Sequence, residues 1–333
     1  MKKFNIAIVG ATGLVGEKIC ELLENRSFPY NNLTLLASKR SKGKQVNIGK
    51  RTYVIEQLTK DSFHNTDIAF FSAGSEVSKE YVHDALEAGA VVIDNTSAFR
   101  MEKDIPLIVP EVNREMLKVD KGIIANPNCS TIQMVMALEK IRKHFGIQRI
   151  IASTYQSVSG AGRKSMQTLK KQMTSNSDNT DEFSQDQQFA YNVIPKIDEF
   201  THDGYTGEEL KMIEETKKIF NDKEISISAT CVRVPVLTSH SESIYVETKK
   251  KNVSLHDIVH TLKLMQGVKV FEQHDLPMPV DATNKEEVFV GRIRKDPNYH
   301  NGFHLWVVCD NLLKGAALNT VQIAECIVED ELI

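Results

Sequence analysis

The feature that most constrains the fold is a glycine-rich turn close to the start of the chain. In the segment IAIVGATGLVGEKICELL, an apolar strand-like run precedes the glycines at positions 10, 13 and 16, and a helical run follows them. Gly10 permits a tight turn, Gly13 lets the backbone approach a pyrophosphate, and Gly16 allows close packing of helix on strand. The spacing is GxxGxxG rather than GxGxxG, and a plain tight turn is the alternative. Because it lies between a strand and a helix, the turn predicts a dinucleotide site with the pyrophosphate at the helix N-terminus.

Strand-like and helix-like segments alternate through the first part of the chain. The strand-like runs NIAIV, LTLLAS and DIAFFS are interleaved with the helical runs GEKICELLEN and SKEYVHDALEAG, and the apolar segments AVVIDNT, PLIVPEVN and GIIANP follow. Such alternation predicts a parallel sheet with helices on both faces. The total length of 333 residues indicates about two domains.

From residue 129 the pattern changes. A helix is predicted at GEELKMIEETKKIF, and strands at RIIASTYQSVSG, ISISATCVRVPV, SESIYVETKK, EVFVGRIRK and FHLWVVCDN, for which we expect antiparallel pairing. The polar segment 173–190 predicts an exposed loop or an interface arm. The segment LLKGAALNTVQIAECIVEDELI predicts one long C-terminal helix, and its return to the first domain would make that domain discontinuous.

Composition and charge exclude several classes of function. The net charge of -3 gives no basic face for a nucleic acid. No apolar run reaches the length that spans a membrane, so we expect no membrane partner. The start MKKFNIAIVGATG resembles a signal peptide, but its apolar run is short and breaks into glycines, which favours a first strand. Five scattered cysteines with no CxxC pair indicate neither zinc nor a disulfide framework, and a reducing cytoplasm fits best.

The end of the second strand distinguishes NAD from NADP. An NAD site places Asp or Glu there to bind the ribose 2′-hydroxyl. This chain instead has LLASKRSKGK, in which Ser38, Arg40 and Ser41 offer donors and positive charge beside Lys39. That set suits a 2′-phosphate and predicts NADP(H), with a solvated basic loop as the alternative.

One cysteine lies at a predicted helix start, where the pKa of a thiol can be lowered. In GIIANPNCSTIQMVMALEKI, Pro127 stops an apolar strand, and Cys129 stands at or just before the start of a largely buried helix. Unpaired N–H groups and the helix dipole favour an anion there, which can lower the pKa of a thiol. The alternative is a buried structural cysteine.

Other segments supply the partners that a thiol nucleophile needs. Gln156 ends a strand in STYQSVSGAG and can hold a substrate carbonyl, and Arg233 can bind a carboxylate or phosphate through two hydrogen bonds. His240 can act as an acid or base at neutral pH, although lone histidines are more often structural. Arg100 follows a strand near the edge where open α/β sheets bind ligands. Glu208 and Lys211 share one helix face, where a solvated ion pair is the alternative. Together these residues fit a dehydrogenase that works through an acyl thioester.

These motifs resemble the aspartate-β-semialdehyde dehydrogenase family over nearly the whole chain. The matching segments are GATGLVG, DNTSAFRM, PLIVPEVN, NPNCST, QSVSGAG, RVPV with a histidine seven residues after its arginine, and DNLLKGAALNTVQIAE. The resemblance implies NADPH-dependent reductive dephosphorylation of L-4-aspartyl phosphate to L-aspartate-4-semialdehyde, which feeds lysine (through diaminopimelate), methionine and threonine synthesis. It also implies a Rossmann domain (1–128, with the C-terminal helix 311–333 packing back on it) and an α+β catalytic and dimerisation domain (129–310). The chain would then form at least a dimer.

The resemblance also assigns roles to individual residues. Cys129 would be the nucleophile, His240 the general acid/base, and Gln156 the group that positions the substrate at the thioester. Residues matching the substrate and phosphate sites are Arg233, Glu208, Arg100, Asn128 and Lys211. Residues matching cofactor contacts are Thr12, Gly13, Leu14, Val15, Ser38, Arg40, Ser159, Gly160 and Asn311, and the glycine turn and the basic loop described above add Gly10 and Ser41. No metal is expected.

Three other functions remain open from the sequence. N-acetyl-γ-glutamyl-phosphate reductase also combines a Rossmann domain with a PNC nucleophile, and the RVPV…SHSES stretch argues for aspartyl phosphate against it. A reductase of CoA thioesters on this fold is the second, against which Arg100 and Lys211 argue for inorganic phosphate. A catalytically silent NADP-binding protein is the third, and it would be expected to lack Cys129 or His240.

Overall fold

The computed structural model describes residues 2–120, 122–174, 184, 187–201 and 203–333. The chain forms two compact units. The first comprises residues 1–128 and 316–333, and the second comprises 129–315. The chain therefore re-enters the first unit five residues beyond the predicted position 311, because the segment 311–315 makes its contacts within the second unit.

The first unit contains a seven-stranded sheet. In chain order its elements are β1 (Phe4–Val9), α1 (Leu14–Asn25), β2 (Tyr30–Ala37), β3 (Gln45–Ile48), β4 (Arg51–Gln57), β5 (Ile68–Phe71), α2 (Ser75–Glu87), β6 (Val91–Asp94), α3 (Pro110–Asn113) and β7 (Ile123–Ala125). The strand order is β3-β4-β2-β1-β5-β6-β7. All neighbours pair in parallel except β3 and β4. The predicted Rossmann-type sheet is confirmed, and β5 and β6 are buried along their whole length, as strands covered on both faces must be.

Two parts of the first unit differ from the prediction. The hairpin β3–β4 was not predicted, because its strands carry polar and charged residues and are largely exposed. In the PLIVPEVN segment the structure has the short helix α3, which begins at Pro110, where proline is tolerated in a first helical turn.

The second unit contains a six-stranded sheet with helices against it. In chain order its elements are α4 (Cys129–Phe145), β8 (Ile147–Gln156), α5 (Arg163–Thr174), α6 (Gly207–Phe220), β9 (Ser226–Arg233), β10 (His240–Thr248), α7 (Leu255–Lys263), β11 (Val268–Val270), α8 (Pro279–Ala282), β12 (Val288–Lys295) and β13 (Gly302–Cys309). The strand order is β11-β12-β13-β10-β8-β9. The central helix α4 packs on β10, β13, α6 and α7.

The expectation of antiparallel pairing in this sheet is only partly correct. β10 pairs antiparallel with β8 and β13, and β12 with β13. The edge pairs β8–β9 and β11–β12 are parallel. The chain leaves the sheet between the members of each parallel pair, through α5 and α6 in one case and α8 in the other. These long connections return it to the same end of the sheet, which parallel pairing requires.

The C-terminal segment forms a π-helical turn (Leu313–Ala317) followed by α9 (Leu318–Glu329), and not one continuous helix. α9 packs on α1 and α3 of the first unit. Arg26, the residue directly after α1, makes a two-point contact with Glu325, with Nε–Oε1 2.7 Å and Nη2–Oε2 2.9 Å. Asn319 Nδ2 donates to Asn126 Oδ1 over 2.7 Å. These contacts confirm the predicted return of the helix to the first unit.

Part of the polar segment 173–190 lies outside the described residues, and its proposed role as an interface arm lies there too. Among the described helices none combines the length and the apolar character needed to cross a membrane.

Candidate active site

The glycine-rich turn of the first unit is shaped by its glycines. Gly10 has φ +88°, and a Cβ there would lie 2.9 Å from Ala73 N and from Ser72 C. A Cβ on Gly16 would lie 2.3 Å from Gly10 O, so α1 packs directly on the turn. Gly13 is the N-cap of α1 and offers no side-chain cap. The N–H groups of the first helical turn therefore remain available to an anion.

Beside this turn lies a cavity of about 560 Å³, a volume typical of small-molecule and cofactor sites. It is lined by Val9, Gly10, Thr12, Gly13, Ala37, Ser38, Lys39, Gln57, Leu58, Ser72, Ala73, Val77, Glu80 and Tyr81. Four of the predicted cofactor residues are among them: Gly10, Thr12, Gly13 and Ser38. Leu14 and Val15 begin α1, and Arg40 and Ser41 lie in the 3₁₀ turn Lys39–Ser41 that follows β2. The glycine turn, the cavity and the basic turn together fit a phosphorylated dinucleotide.

Sequence reasoning missed Gln57 and Leu58, which also line the cavity. Gln57 is the last residue of β4 and Leu58 follows it, and β4 pairs in parallel with β2, so the ends of the two strands are neighbours. The two residues would have been identified if β4 had been predicted, but the polar sequence of this strand does not show a strand pattern.

In the second unit, Cys129 is the first residue of α4. It is half-buried, whereas the other four cysteines of the chain, all of them described, are buried. Burial raises the pKa of the Cys20 thiol to about 12 and that of Cys326 to about 11. Cys129 is thus the one cysteine thiol that combines partial exposure with a helix N-terminus. A Cβ on Gly315 would lie 3.0 Å from Cys129 Cβ, so the π-helical turn packs tightly against it.

Gln156 and Glu208 form a buried polar pair in the same unit. Gln156, the last residue of β8, donates from Nε2 to Ser130 Oγ over 2.6 Å and to Glu208 Oε1 over 3.3 Å. Glu208 lies in the first turn of α6, where the helix dipole favours a carboxylate. Ser130 directly follows the candidate nucleophile Cys129. The amide of Gln156 is therefore held beside the start of α4.

Lys211 bridges two carboxylates at the margin of this cluster. Its Nζ lies 2.7 Å from Asp198 Oδ2 and 3.3 Å from Glu208 Oε2. The hydrogen bond from Lys211 lowers the pKa of Asp198. Asp198 was not singled out from the sequence, because its position relative to α6 depends on the irregular segment before that helix.

His240, the first residue of β10, is fully buried, and its ring contacts Ser157. Its Nδ1 lies 3.0 Å from the backbone nitrogen of Ser157 and 3.0 Å from Ser157 Oγ. Arg233, the last residue of β9, donates from Nη1 to the carbonyl oxygen of Ser157 over 2.7 Å. Burial, and then the charge of Arg233, hold the pKa of His240 well below its usual range. Burial also lowers the pKa of Arg233, against the negative charges of Glu208 and Cys129.

The predicted cofactor contacts of the second unit surround this pair. Asn311 Oδ1 accepts hydrogen bonds from Ser157 Oγ, Ser159 Oγ and the backbone N–H of Ser239, over 3.2, 3.0 and 2.9 Å. A Cβ on Gly160 would lie 3.1 Å from Arg233 Nη1 and 3.2 Å from His240 Nε2. The side-chain amide oxygen of Asn311 thus already accepts hydrogen bonds within the protein, and Gly160 leaves space beside the imidazole and the guanidinium.

Arg100 and Asn128 belong to the first unit, and both are buried. Arg100 donates from Nη2 to the carbonyl oxygen of Asn95 over 3.0 Å. The second unit brings together Cys129, Gln156, Glu208, Lys211, Arg233 and His240. Within the part of the chain that the structure describes, no group of three or more His, Cys, Asp or Glu side chains is placed to hold a metal ion.

This arrangement can be compared with known proteins. Residues 5–119 match the family described as semialdehyde dehydrogenase, NAD binding domain, and residues 138–314 match its dimerisation domain. The aspartate-semialdehyde dehydrogenase of Bacillus subtilis is 50% identical over 334 residues, covering 96% of each chain.

Solved structures give the same result. The crystal structure of aspartate semialdehyde dehydrogenase II from Vibrio cholerae complexed with ASA has a TM-score of 0.95 and 47% identity, and the match covers 99% of each chain. The Candida albicans aspartate semialdehyde dehydrogenase structure with NADP has a TM-score of 0.79 and 26% identity, covering 100% of each chain. The motifs, the two-unit fold and these similarities agree: the chain belongs to the aspartate-semialdehyde dehydrogenase family.

Proposed function

We propose that this protein catalyses the NADPH-dependent reductive dephosphorylation of L-4-aspartyl phosphate to L-aspartate-4-semialdehyde, through a thioester on Cys129. The reaction would serve lysine, methionine and threonine biosynthesis. The observation that carries the proposal is the half-buried Cys129 at the start of α4, in one unit with buried Gln156, Glu208, Arg233 and His240. The names of the relatives at about 50% identity support the substrate.

Cys129 acts as the nucleophile. Its sulfur bonds to the acyl carbon of the substrate, the bond from that carbon to the phosphate oxygen breaks, and phosphate leaves. The N–H groups at the start of α4 favour the thiolate and suit the oxyanion that forms during attack. Gln156, held by Ser130 and Glu208, positions the carbonyl group at the thiol.

The charged residues match the charges of the substrate. Arg233 binds the carboxylate, and Glu208 binds the ammonium group of the amino acid. Lys211, Arg100 and Asn128 bind the phosphate, which needs positive charge and N–H donors. Lys211 is already between two carboxylates, so its ammonium group is held in place by charge before a phosphate binds.

The cofactor is NADP rather than NAD. When bound, it supplies the hydride that reduces the thioester. The glycine turn, Thr12, Leu14 and Val15 cradle the pyrophosphate, and Ser38, Arg40 and Ser41 bind the 2′-phosphate. No carboxylate occupies the end of β2, where an NAD-preferring protein would carry one. Ser159, Gly160 and Asn311 contribute further cofactor contacts.

The second unit supports a homodimer, since it matches a dimerisation domain. None of the five cysteines, all of them described, is in a disulfide, and a reducing cytoplasm suits the protein.

The test is NADP⁺ reduction with L-aspartate-4-semialdehyde, with and without inorganic phosphate. We expect turnover that requires phosphate, favours NADP⁺ over NAD⁺ and disappears in Cys129→Ala. Cys326→Ala, which removes a thiol with no role in the proposal, is the matched control and should retain turnover. N-acetyl-glutamate semialdehyde and CoA in place of phosphate test the two alternative reductases. Turnover with N-acetyl-glutamate semialdehyde but not with L-aspartate-4-semialdehyde, or with CoA but not with phosphate, would refute the proposed substrate.

A further inference from the structure

Three side-chain amides form a line of hydrogen bonds inside the first unit. Asn319 of α9 donates from Nδ2 to Asn126 Oδ1 over 2.7 Å, and Asn126 donates from Nδ2 to Asn95 Oδ1 over 2.6 Å. Asn126 and Asn319 are fully buried, and Asn95 is half-buried. We call these three residues the amide line. Its two bonds join positions 193 and 31 residues apart, so only the tertiary fold brings the amides together.

The direction of the amide line is fixed by its donors. An asparagine amide has two N–H groups and one oxygen. Asn319 uses its N–H groups for Asn126 Oδ1 and for the carbonyl oxygen of Ile108, which is 2.9 Å from Nδ2. Asn126 uses its own for Asn95 Oδ1 and, over 3.3 Å, for the carbonyl oxygen of Pro127. Turning over the amide of Asn126 would place N–H against N–H at one end and oxygen against oxygen at the other. Each amide therefore holds the next in one orientation.

The last member of the amide line holds Arg100. The backbone carbonyl oxygen of Asn95 accepts from Arg100 Nη2 over 3.0 Å, and the backbone N–H of Asn95 donates to the carbonyl oxygen of Phe71 over 2.9 Å. Arg100 is 7% exposed. A guanidinium is planar and carries its N–H groups in a rigid fork, so the direction of one N–H sets the direction of the others. The position of the Asn95 backbone therefore sets the orientation of the Arg100 guanidinium.

The amide line lies at the edge of the sheet where a ligand is expected. Asn95 directly follows β6 and Asn126 directly follows β7, and these neighbouring strands are parallel. Their carboxyl ends meet at one edge, which is where open α/β sheets bind ligands. Burying an amide costs free energy unless it is hydrogen-bonded, and apolar side chains would fill the same space without that requirement. The orientation of a ligand-binding group explains buried amides at this edge better than packing alone does.

We infer that Asn95, Asn126 and Asn319 are positioning residues of the phosphate site. They hold the Asn95 backbone, and through it the guanidinium of Arg100, in the orientation that receives phosphate. The amide line acts through Arg100 and not by contact with the phosphate. Through Asn319, helix α9 of the C-terminal segment contributes to phosphate binding. The inference rests on the proposed function for the role of Arg100, and it adds the residues that keep this arginine in place.

Two substitutions interrupt the amide line at its ends. Asn319→Ala removes the donor to Asn126, and Asn95→Ala removes the last amide but keeps the backbone carbonyl that Arg100 contacts. In the phosphorylating direction, we expect either one to raise the KM for phosphate about three- to tenfold and to change the KM for L-aspartate-4-semialdehyde less than about twofold, because a misdirected guanidinium loses part of a charged hydrogen bond. An unchanged KM for phosphate, or equal rises in both KM values, would overturn the inference. If Asn319→Ala does not fold, Asn95→Ala at its half-buried position decides alone.

Asn113→Ala is the matched control. Asn113 is buried, lies in the same unit and also contacts the segment 107–109. Its Oδ1 accepts from the backbone N–H of Val109 and its Nδ2 donates to the carbonyl oxygen of Leu107, each over 2.9 Å, and neither bond reaches the amide line. We expect urea unfolding to show a loss of stability similar to that of Asn319→Ala, with the KM for phosphate unchanged. An equal rise in that KM would mean that any disturbance of the segment has this effect, which would overturn the inference.

A double-mutant cycle tests whether the effect passes through Arg100. Arg100→Ala should raise the KM for phosphate about tenfold or more, since it removes a charged donor. In that background, Asn319→Ala should produce no further rise, because groups that act through one contact are not additive. Additive effects would mean that Asn319 acts on the site by another route. That result would overturn the inference, as would an unchanged KM for phosphate in Arg100→Ala.

Phosphate binding without turnover separates this inference from the proposed function. Isothermal calorimetry of the NADP⁺-bound protein gives a Kd for inorganic phosphate, which should rise in Asn95→Ala and Asn319→Ala by the same factor as the KM. If the wild type binds phosphate but does not oxidise L-aspartate-4-semialdehyde, the proposed function is wrong, and the Kd values decide the inference alone. If the wild type shows phosphate-dependent turnover and the variants bind phosphate as tightly as it does, the inference alone is wrong.

Discussion

Gly315→Ala should separate activity from stability. Gly315 lies in the π-helical turn Leu313–Ala317, and a Cβ there would be 3.0 Å from Cys129 Cβ and 3.5 Å from Cys129 Cα and Asp310 O. Ordinary contacts begin at 3.4 Å, so the added methyl must move Cys129 away. Gly315 does not have a positive φ, and alanine in a helical position stabilises by about 1 kcal/mol relative to glycine.

The expected loss follows from that displacement. A shift of the nucleophile by about 0.5 Å should lower kcat about tenfold, since 1 Å of misplacement can cost about 10²-fold. Stopped-flow measurement of NADPH formation would give kcat, and urea unfolding would give stability. We expect kcat to fall with the free energy of unfolding unchanged or slightly higher. Gly315→Val, with more bulk on the same side, should be slower still.

Two results would refute this reasoning. A kcat within twofold of wild type would mean that Cys129 tolerates the methyl, so the close approach of the π-helical turn would have no catalytic role. A loss of stability that matches the loss of activity would mean that the substitution disrupts the packing of the turn instead of displacing the nucleophile.

Three further predictions concern other parts of the two units. Lys211→Ala should raise the KM for phosphate about tenfold or more in the phosphorylating direction and the KM for semialdehyde much less, because a hydrogen bond to a charged group contributes about 1.5–3 kcal/mol; equal effects would indicate helix packing. Arg40→Ala should lower kcat/KM for NADPH about tenfold or more and leave that for NADH nearly unchanged, and a parallel loss with both cofactors would remove Arg40 from the 2′-phosphate site. Burial, with a smaller contribution from Glu208 and against the contact with Gln133, holds the pKa of Glu242 well above its usual value. The unfolded chain therefore releases that proton at lower pH than the folded one, and stability falls as pH rises above the ordinary pKa of glutamate. Glu242→Gln should thus be more stable than wild type in urea unfolding at pH 8, with a smaller difference at pH 5; a difference independent of pH would contradict this.

The parts of the fold that the sequence predicted are those with strong hydrophobic patterns. β1, β5 and β6 are short apolar runs, and they form the buried centre of the first sheet. The hairpin β3–β4 was not predicted because its exposed strands carry few apolar residues. The parallel pairing of β8 with β9 was also not predicted, since it depends on where α5 and α6 return the chain. Local sequence contains no information about that path.

The residues of the site also divide into those that the sequence predicted and those that it did not. Cys129, Gln156 and His240 stand in motifs whose chemistry is visible residue by residue. Ser157 does not stand out in the sequence in this way. It belongs to the site because its hydroxyl contacts His240 and Asn311, which are 83 and 154 positions away in the sequence. A serine that contacts the His240 ring through its backbone N–H cannot be recognised from its side chain.

One signal in the sequence was nevertheless available. β10 runs HSESIYVET, and alternate residues of a strand share a face, so His240, Glu242, Ile244 and Val246 lie on one side. All four are fully buried. The apolar half of this face is ordinary core, but its first two members are ionisable, and burying them disfavours folding unless something compensates. Local rules are broken in this way mostly at functional sites, so the strand indicates the end of the sheet at which the chemistry lies. His240 begins that strand, where burial and then the charge of Arg233 lower the pKa of its imidazole, and its Nδ1 accepts a hydrogen bond from the backbone N–H of Ser157.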